Sequence, residues 1–210
     1  ADIEALGAVN INAVTEYERL RERYDFMETQ ARDLREAKEN LLRIIKEMDA
    51  TMTKQFKEAF AQIRRHFNAI FGELFGGGRA ELRLTDETRV LEAGVEIEVQ
   101  LPEKKQQNLS VLSGGERALT VIALLFAFLR VRPAPFVVLD EIDAPLDEAN
   151  IMRFGRFLRD FAAHTQFVIV THRKGTMEAA DTMYGVTLED AGVSKIISVR
   201  LDALTDVEKG

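Results

Sequence analysis

Three short segments in the second half of the chain place the strongest constraints on its fold. In the first, Val111–Leu119 (VLSGGERAL), one serine and two glycines precede an apolar helix pattern. The unpaired N–H groups at a helix N-terminus and the positive end of the helix dipole attract anions such as phosphate. The other two segments are apolar runs that end in Asp140-Glu141 and in Thr171-His172. Each run predicts a buried strand that carries polar side chains at its carboxyl end.

A helical pattern separates the two apolar runs, and the order strand, helix, strand predicts parallel neighbours. Because the carboxyl ends of parallel strands meet at one sheet edge, where ligands bind, we expect Asp140, Glu141 and His172 to converge. One carboxylate suits Mg²⁺ and the other suits the water that attacks a phosphate. Together with the serine and glycines, these residues predict half of an ATP site. The other half must come from elsewhere, because the 210 residues contain no G-x-x-x-x-G-K-[ST] loop.

Each of these motifs also has a purely structural interpretation. Ser113 and Glu116 form an S-x-x-E capping box, which satisfies a helix N-terminus. Gly114 and Gly115 favour a ligand, because glycine in a helix costs about 1 kcal/mol unless something must approach the backbone closely. Asp147 is suited to cap the following helix, and that role is compatible with a functional one. The acidic pair alone is ambiguous, so the combination of motifs carries the interpretation.

Composition excludes several classes of protein. The absence of cysteine excludes a disulfide scaffold and a cysteine-ligated metal site, and it agrees with the cytosol. The most apolar stretch, Ala118–Leu129, is shorter than the roughly 20 residues of a membrane span, and the first residues show no signal-peptide pattern. We therefore expect a soluble protein without a membrane partner. The net charge of -7 restricts any contact with DNA to local patches.

The first quarter of the chain has a heptad pattern. From Tyr17 to Met52, apolar residues recur at steps of three and four, interrupted once by Lys38. A repeat of 3.5 residues keeps one narrow stripe on a helix and predicts a coiled coil with a partner helix. Beyond Met52 the stripe broadens and becomes aromatic, as in a core-facing helix. The predicted domains are therefore a coiled-coil segment over 1–52 and a globular part over 53–210.

Turn residues and alternating runs divide the globular part into α and β elements. Gly76-Gly77-Gly78 predicts a helix end and turn; a phosphate loop is the alternative, disfavoured because no Lys with Ser or Thr follows. Two alternating runs, Glu81–Leu84 and Val95–Leu101, predict an antiparallel layer. Phe136–Leu139 and Phe167–Val170 are continuously apolar, which predicts parallel strands buried on both faces.

Further helices are expected from Ser113 to about Val131 and between Asp147 and Ala163. A closing hairpin is expected from 184–188 and 194–201, with its turn at Asp190-Ala191-Gly192. The predicted fold class is α/β, with a parallel core sheet flanked by helices, antiparallel hairpins, and a protruding coiled-coil helix.

With these segments placed, the chain resembles the C-terminal half of the ATPase head of bacterial SMC (structural maintenance of chromosomes) proteins. Leu112–Arg117 resembles the ABC signature motif, Phe136–Glu141 the Walker B strand, Ala144–Asp147 the D-loop, and Val170–His172 the switch histidine. The narrower resemblance to SMC rests on the residues around these motifs. They are Leu6-Gly7, Val9-Asn10, Gln107–Leu109, Glu116–Thr120, Asp147–Asn150, Thr171–Glu178, Tyr184–Thr187 and Gly192–Lys195.

The resemblance implies a role for each site residue. Ser113, Gly114 and Gly115, with Glu116 beside them, would bind the γ-phosphate of ATP held by an opposing head. Asp140 would hold Mg²⁺ through water, and Glu141 would act as the general base or as the residue that positions the water. Asp147 would communicate across the head junction, and His172 would sense the γ-phosphate. In this family the missing Walker A motif lies at the far N-terminus, so the chain alone is expected to be inactive. Its start at Ala1, without an initiator Met, suggests an excised fragment.

The resemblance also implies partners and a task. The partners would be the N-terminal half of the same polypeptide, a second head in a homodimer, a kleisin subunit with its accessory protein, and DNA. The task would be ATP-dependent chromosome condensation and segregation at the cytoplasmic nucleoid. Three alternatives stay open: a coiled-coil ATPase of DNA double-strand-break repair, an ABC transporter subunit, and a non-catalytic coiled-coil scaffold.

Overall fold

A computed structural model of the chain describes residues 12–189 and 193–201. The chain divides into two compact units, Ala1–Lys54 and Gln55–Gly210. The elements in chain order are α1 (Ala13–Phe75), β1 (Arg79–Leu84), β2 (Val95–Gln100), β3 (Gln107–Asn108), a 3₁₀ turn (Leu109–Val111), α2 (Gly114–Val131), β4 (Phe136–Asp140), α3 (Glu148–Phe161), β5 (Gln166–Val170), α4 (Lys174–Met177), β6 (Thr182–Glu189) and β7 (Val193–Arg200). The predicted features at Leu6-Gly7, Val9-Asn10 and Asp190–Gly192 lie outside the described residues.

The described part of the first unit is the beginning of α1. Its heptad residues are exposed: for example, Leu20 is 65% exposed, Leu34 70% and Ile45 53%. A continuous apolar stripe left in water costs free energy, and its exposure agrees with the predicted partner helix. The heptad pattern is therefore present on a helix, as expected, and the domain boundary after residue 52 stays a prediction.

In the second unit, the end of α1 enters the core. Phe67, Ile70, Phe71 and Leu74 are at most 4% exposed. The helix ends at Phe75, and Gly76, Gly77 and Gly78 all have positive φ angles, of 70°, 136° and 86°. A Cβ on Gly78 would lie 2.4 Å from the carbonyl oxygen of Gln100, so only glycine fits there. The predicted helix end and turn are confirmed.

The turn leads into a three-stranded antiparallel sheet in the order β1-β2-β3. Leu82 pairs with Ile97 and Ala80 with Val99, which confirms the antiparallel layer. After this sheet, α2 and α3 pack around the ring of Phe126. The ring centroid of Phe126 lies 4.9 Å from that of Phe157, 5.0 Å from that of Phe161 and 5.7 Å from that of Phe167. These aromatic contacts join both helices to β5.

Strands β4 and β5 are parallel, as predicted, and Val138 pairs with Val168. One face of this two-stranded sheet packs on the core through Leu139, which is 5% exposed, and its neighbours. The other face is exposed: Val138 is 59% exposed and Val168 48%. The expectation of burial on both faces is therefore wrong for the described residues, because none of their elements covers the second face.

The predicted closing hairpin is present as β6 and β7, which pair antiparallel with Tyr184 opposite Ser198. At the end of the hairpin opposite its turn, the N–H of Leu201 donates to the carbonyl oxygen of Asp181 at 3.0 Å. None of the helices in the described residues combines the length and apolar character needed to cross a membrane.

Candidate nucleotide site

The edge of the β4–β5 sheet carries the acidic pair and the histidine. Asp140 is the last residue of β4 and pairs with Val170. The N–H of Glu141 donates to the carbonyl oxygen of Val170 at 2.9 Å, and Glu141 has a φ of 48°. This left-handed conformation is rare for a residue with a side chain and costs free energy, which makes it a pointer to function. The structure brings Nδ1 of His172 to 3.8 Å from Oε1 of Glu141.

The start of α2 forms the predicted capping box. The Oγ of Ser113 accepts from the N–H of Glu116 at 3.3 Å, and the N–H of Ser113 donates to Oε2 of Glu116 at 3.0 Å. Both Ser113 and Gly114 are exposed. The capping box and the open face of the helix end are compatible, since the box uses the Ser113 hydroxyl and leaves N–H groups of the first turn free for an anion.

The two glycines have different surroundings. A Cβ on Gly115 would lie 3.1 Å from the carbonyl oxygen of Pro145, in the turn before Asp147. The close approach that favours glycine at position 115 is therefore made by the protein itself. A Cβ on Gly114 would meet no atom of the described chain within 4 Å. Packing explains the glycine at 115 and gives no reason for the one at 114.

Lys104 joins this part of the site, although it was not predicted as a site residue. Its ammonium group donates to Oε1 of Glu116 at 2.8 Å. This hydrogen bond, together with the one from the N–H of Ser113, lowers the pKa of the Glu116 carboxyl below its ordinary value. Glu116 is therefore ionised at neutral pH, and its charge is neutralised locally by Lys104.

A cavity of about 450 Å³ opens beside the start of α2. It brings Asp147 together with Ser113, Gly115 and Glu116. Asp147 caps α3, because its Oδ1 accepts from the N–H of Asn150 at 2.8 Å. The full lining is Phe75, Leu101, Pro102, Lys104, Ser113, Gly115, Glu116, Pro145, Asp147, Asn150 and Arg153. The predicted residues thus form two groups, one around this cavity and one at the strand edge.

Two further residues lie between these groups and were missed as functional candidates. Asp143 is 1% exposed, and the half-buried Arg173 contacts the backbone of residue 146 through its guanidinium. Neither Asp143 nor Arg173 was predicted as a site residue. Hydrogen bonds between residues 27 to 33 positions apart fix both side chains. A local sequence pattern cannot predict contacts between residues so far apart in the chain.

The donor set at the strand edge limits which metal it suits. Within the described residues, no group of three or more His, Cys, Asp or Glu side chains is placed to hold a metal ion. Mg²⁺ commonly binds through one or two carboxylates, with water and nucleotide phosphates completing its shell. Asp140, with an exposed carboxylate at the end of β4, fits such a shared site.

Comparison with known proteins identifies the family. The family model described as RecF/RecN/SMC N terminal domain matches residues 24–195. Within that class, the chain is 59% identical over 200 residues to the chromosome partition protein Smc of Bacillus subtilis (strain 168). The match covers 95% of this chain and 17% of that protein. The chain belongs to the SMC family.

Solved SMC head structures are similar in fold. The Smc head domain of Pyrococcus furiosus, solved with an extended coiled coil and bound to the C-terminal domain of ScpA, has a TM-score of 0.73 and 34% identity. That match covers 95% of this chain and 50% of the solved chain. A chain from a study of the ATP-driven dimerisation and DNA-stimulated activation of SMC ATPases has a TM-score of 0.67 and 37% identity, covering 75% of this chain and 96% of that one.

Proposed function

We propose that the chain is the C-terminal half of an SMC ATPase head that acts in ATP-dependent chromosome condensation and segregation. The observation that carries this proposal is the pairing of two features in one unit. Glu141, in a left-handed conformation, lies 3.8 Å from His172, and Ser113 with Gly114 forms an open helix start. The similarity to chromosome partition proteins favours segregation over double-strand-break repair.

The N-terminal half of the same polypeptide is the first partner. The exposed face of the β4–β5 sheet presents Phe136, Val138, Val168 and Val170, each 48–61% exposed. Contiguous apolar patches of this kind mark interaction surfaces. The chain also lacks a phosphate loop of its own and spans only 17% of the Bacillus subtilis relative. The proposed half would cover this face and supply the Walker A loop; its coil would cover the heptad stripe of α1.

At the strand edge, the residues of this chain would act on the ATP of their own head. Glu141 would hold the attacking water and accept its proton, and His172 would contact the γ-phosphate. Asp140 would hold Mg²⁺ through water. The metal would neutralise charge that develops on the transferred phosphoryl group.

At the cavity beside α2, the residues would act on the ATP of an opposing head. The first N–H groups of α2, with Ser113, Gly114 and Gly115, would bind its γ-phosphate. Glu116 would keep the helix start in place through the capping box, and Asp147 would lie at the junction. Binding would then join two heads, and hydrolysis would separate them.

The remaining partners are proposed by analogy with the relatives. The Pyrococcus furiosus head was solved with the C-terminal domain of ScpA, and we propose a kleisin subunit of that kind, with its accessory protein, as a partner here. DNA is the proposed substrate of the whole assembly, at the nucleoid in the cytoplasm. The assembly would be a homodimer of two heads.

The test is to co-express the chain with the N-terminal half of its own gene and measure ATP hydrolysis per head over a range of protein concentrations. Activity per head should rise with concentration, because each site needs residues from two heads. Activity independent of concentration would reject the shared site. ATP binding without any hydrolysis would favour the non-catalytic scaffold, and the chain expressed alone should show no turnover.

A further inference from the structure

A buried carboxylate lies between the two groups of site residues. Asp143 is 1% exposed, in the segment that connects Glu141 to Asp147. Its Oδ2 accepts from the hydroxyl of Thr171 at 2.7 Å and from the hydroxyl of Thr176. Its Oδ1 has no hydrogen-bond partner in the described part of the chain. Burying a carboxylate is costly even when it is hydrogen-bonded, so this arrangement is a poor device for stability alone.

A second set of bonds joins the same two segments. The N–H of Arg173 donates to the hydroxyl oxygen of Thr171 at 2.9 Å, and the Arg173 guanidinium donates to the carbonyl oxygen of Leu146. We call Asp143, Leu146, Thr171, Arg173 and Thr176 the Asp143 clamp. It fixes the residues immediately before and after His172 to the segment 143–146.

That segment is itself held at both ends. The N–H of Ala144 donates to the carbonyl oxygen of Glu141 at 3.1 Å, which closes a turn directly after the acidic pair. At the other end, Pro145 lies against Gly115, and Asp147 caps α3. The Asp143 clamp therefore attaches the backbone of His172 to an element that contacts both groups of site residues.

The His172 side chain depends on this attachment. It is 65% exposed, and its closest ionic neighbour, Glu141, lies at 3.8 Å, beyond the length of a strong hydrogen bond. The position of the imidazole is thus set mainly by the backbone on either side of it, which the clamp holds.

We infer that Asp143 is a positioning residue, which acts through Thr171 to hold His172 against the γ-phosphate side of the site in register with Glu141 and Asp147. This inference rests on the proposed function. Loss of the clamp lowers the turnover of bound ATP and leaves ATP affinity unchanged, because the phosphate loop of the N-terminal half holds the nucleotide. The clamp contacts no reacting atom, so it affects the turnover rate only by positioning His172.

The experiment uses the complete head, made from this chain and its N-terminal half. Thr171→Val removes the hydroxyl that joins Asp143 to Arg173, and kcat should fall about tenfold, since small displacements of a catalytic group are costly. KM for ATP should stay within about twofold of the wild-type value, because the nucleotide is held elsewhere. Thr171→Ser, which keeps the hydroxyl, should retain kcat. Thr165→Val, a buried threonine outside the clamp, is the matched control and should also retain it.

A double-mutant cycle with His172→Ala, measured under single-turnover conditions, separates positioning from general destabilisation. If the clamp acts through His172, Thr171→Val causes no further loss in the His172→Ala background. Additive losses, an equal loss in Thr171→Ser, or an unchanged kcat in Thr171→Val would each overturn the inference. Glu141→Gln distinguishes a failure of the proposed function from a failure of the inference about the clamp. If Glu141→Gln leaves turnover normal, the proposed function fails. If Glu141→Gln loses turnover and the double-mutant cycle is additive, only the inference about the clamp is overturned.

Discussion

The two halves of the candidate site differ in how completely the chain itself explains them. At the start of α2, reciprocal hydrogen bonds join Ser113 to Glu116, and Gly115 packs on the carbonyl oxygen of Pro145. At the strand edge, Glu141 has a φ of 48° and lies with His172 largely in solvent. The first arrangement is a stable helix cap that a ligand can also use. The second combines a strained backbone with exposed side chains, an arrangement that is typical of functional sites.

The largest expected effect is at the strand edge. Glu141→Gln in the complete head should lower the rate of ATP hydrolysis by at least about 100-fold, because a general base contributes roughly 10²–10⁴ to catalysis. The amide keeps the size and backbone of the residue, so ATP binding should persist and paired heads should accumulate. Steady-state hydrolysis and sedimentation in the presence of ATP measure both effects.

Glu148→Gln is the matched control for that variant, since Glu148 is an exposed carboxylate in the first turn of α3. It should hydrolyse ATP at the wild-type rate. Normal turnover in Glu141→Gln would remove Glu141 from the reaction and leave its left-handed conformation without a functional reason.

The next effect distinguishes the two halves directly. Ser113→Arg places a long cation at the start of α2, where it would block an opposing nucleotide. ATP binding by the complete head should be unchanged, because that nucleotide is held by the strand-edge half and its partner, while head pairing should be lost. Equilibrium titration with ATP and sedimentation measure the two steps separately. Ser110→Arg, on an exposed residue three positions earlier, is the control for added charge; loss of ATP binding in Ser113→Arg would assign Ser113 to the wrong half-site.

The two glycines allow a finer test within the α2 half. Gly115→Ala brings a Cβ to 3.1 Å from the Pro145 carbonyl oxygen and should lower the free energy of unfolding by about 1 kcal/mol. Gly114→Ala has open space and should raise it by about 0.4–1 kcal/mol, because alanine restricts the unfolded chain. Urea denaturation measures both changes.

The rate of ATP hydrolysis then shows whether Gly114 serves a ligand as well as the helix cap. If a phosphate approaches the backbone at position 114, Gly114→Ala lowers turnover in spite of its greater stability. A more stable Gly114→Ala protein with wild-type turnover would show that the helix start acts only as a cap.

The sequence predicted those parts of the molecule that depend on local rules. The capping box of Ser113 and Glu116, the Asp147 cap, the glycine turn and the strand pairings follow from neighbouring residues, and the structure contains each of them. The sequence also predicted that the strand ends would meet, because parallel strands share an edge.

The errors have a common physical origin in contacts that local patterns do not encode. Apolar runs at β4 and β5 predicted burial on both faces, but such a run does not indicate which element covers each face, and the described residues cover one face only. Lys104 and Arg173 were not predicted as site residues. Their partners, Glu116 and the Leu146 carbonyl, lie 12 and 27 positions away, and only the folded backbone brings them together.

The smallest effect concerns the electrostatics of the α2 half. The pKa of Glu116 is lowered first by the hydrogen bond from Lys104 and then by the N–H of Ser113. A carboxyl with a lowered folded-state pKa contributes stability above its unfolded pKa, ordinarily 4.5, and loses it as the pH falls through the lower folded value. Lys104→Ala should therefore cost less than about 1 kcal/mol at pH 7, since the pair is partly exposed.

The difference between Lys104→Ala and the wild type should shrink as the pH falls below 4.5 and through the lower folded-state pKa of Glu116, because Glu116 becomes protonated in both proteins over that range. Urea denaturation from pH 7 to pH 3, with Lys105→Ala as the neighbouring control, measures this difference. A cost that stays constant across that range would mean that Lys104 contributes by packing at the cavity wall, which it helps to line, and not by its ion pair with Glu116. The start of α2 would then be held by the hydrogen bonds between Ser113 and Glu116, with no contribution from the ion pair with Lys104.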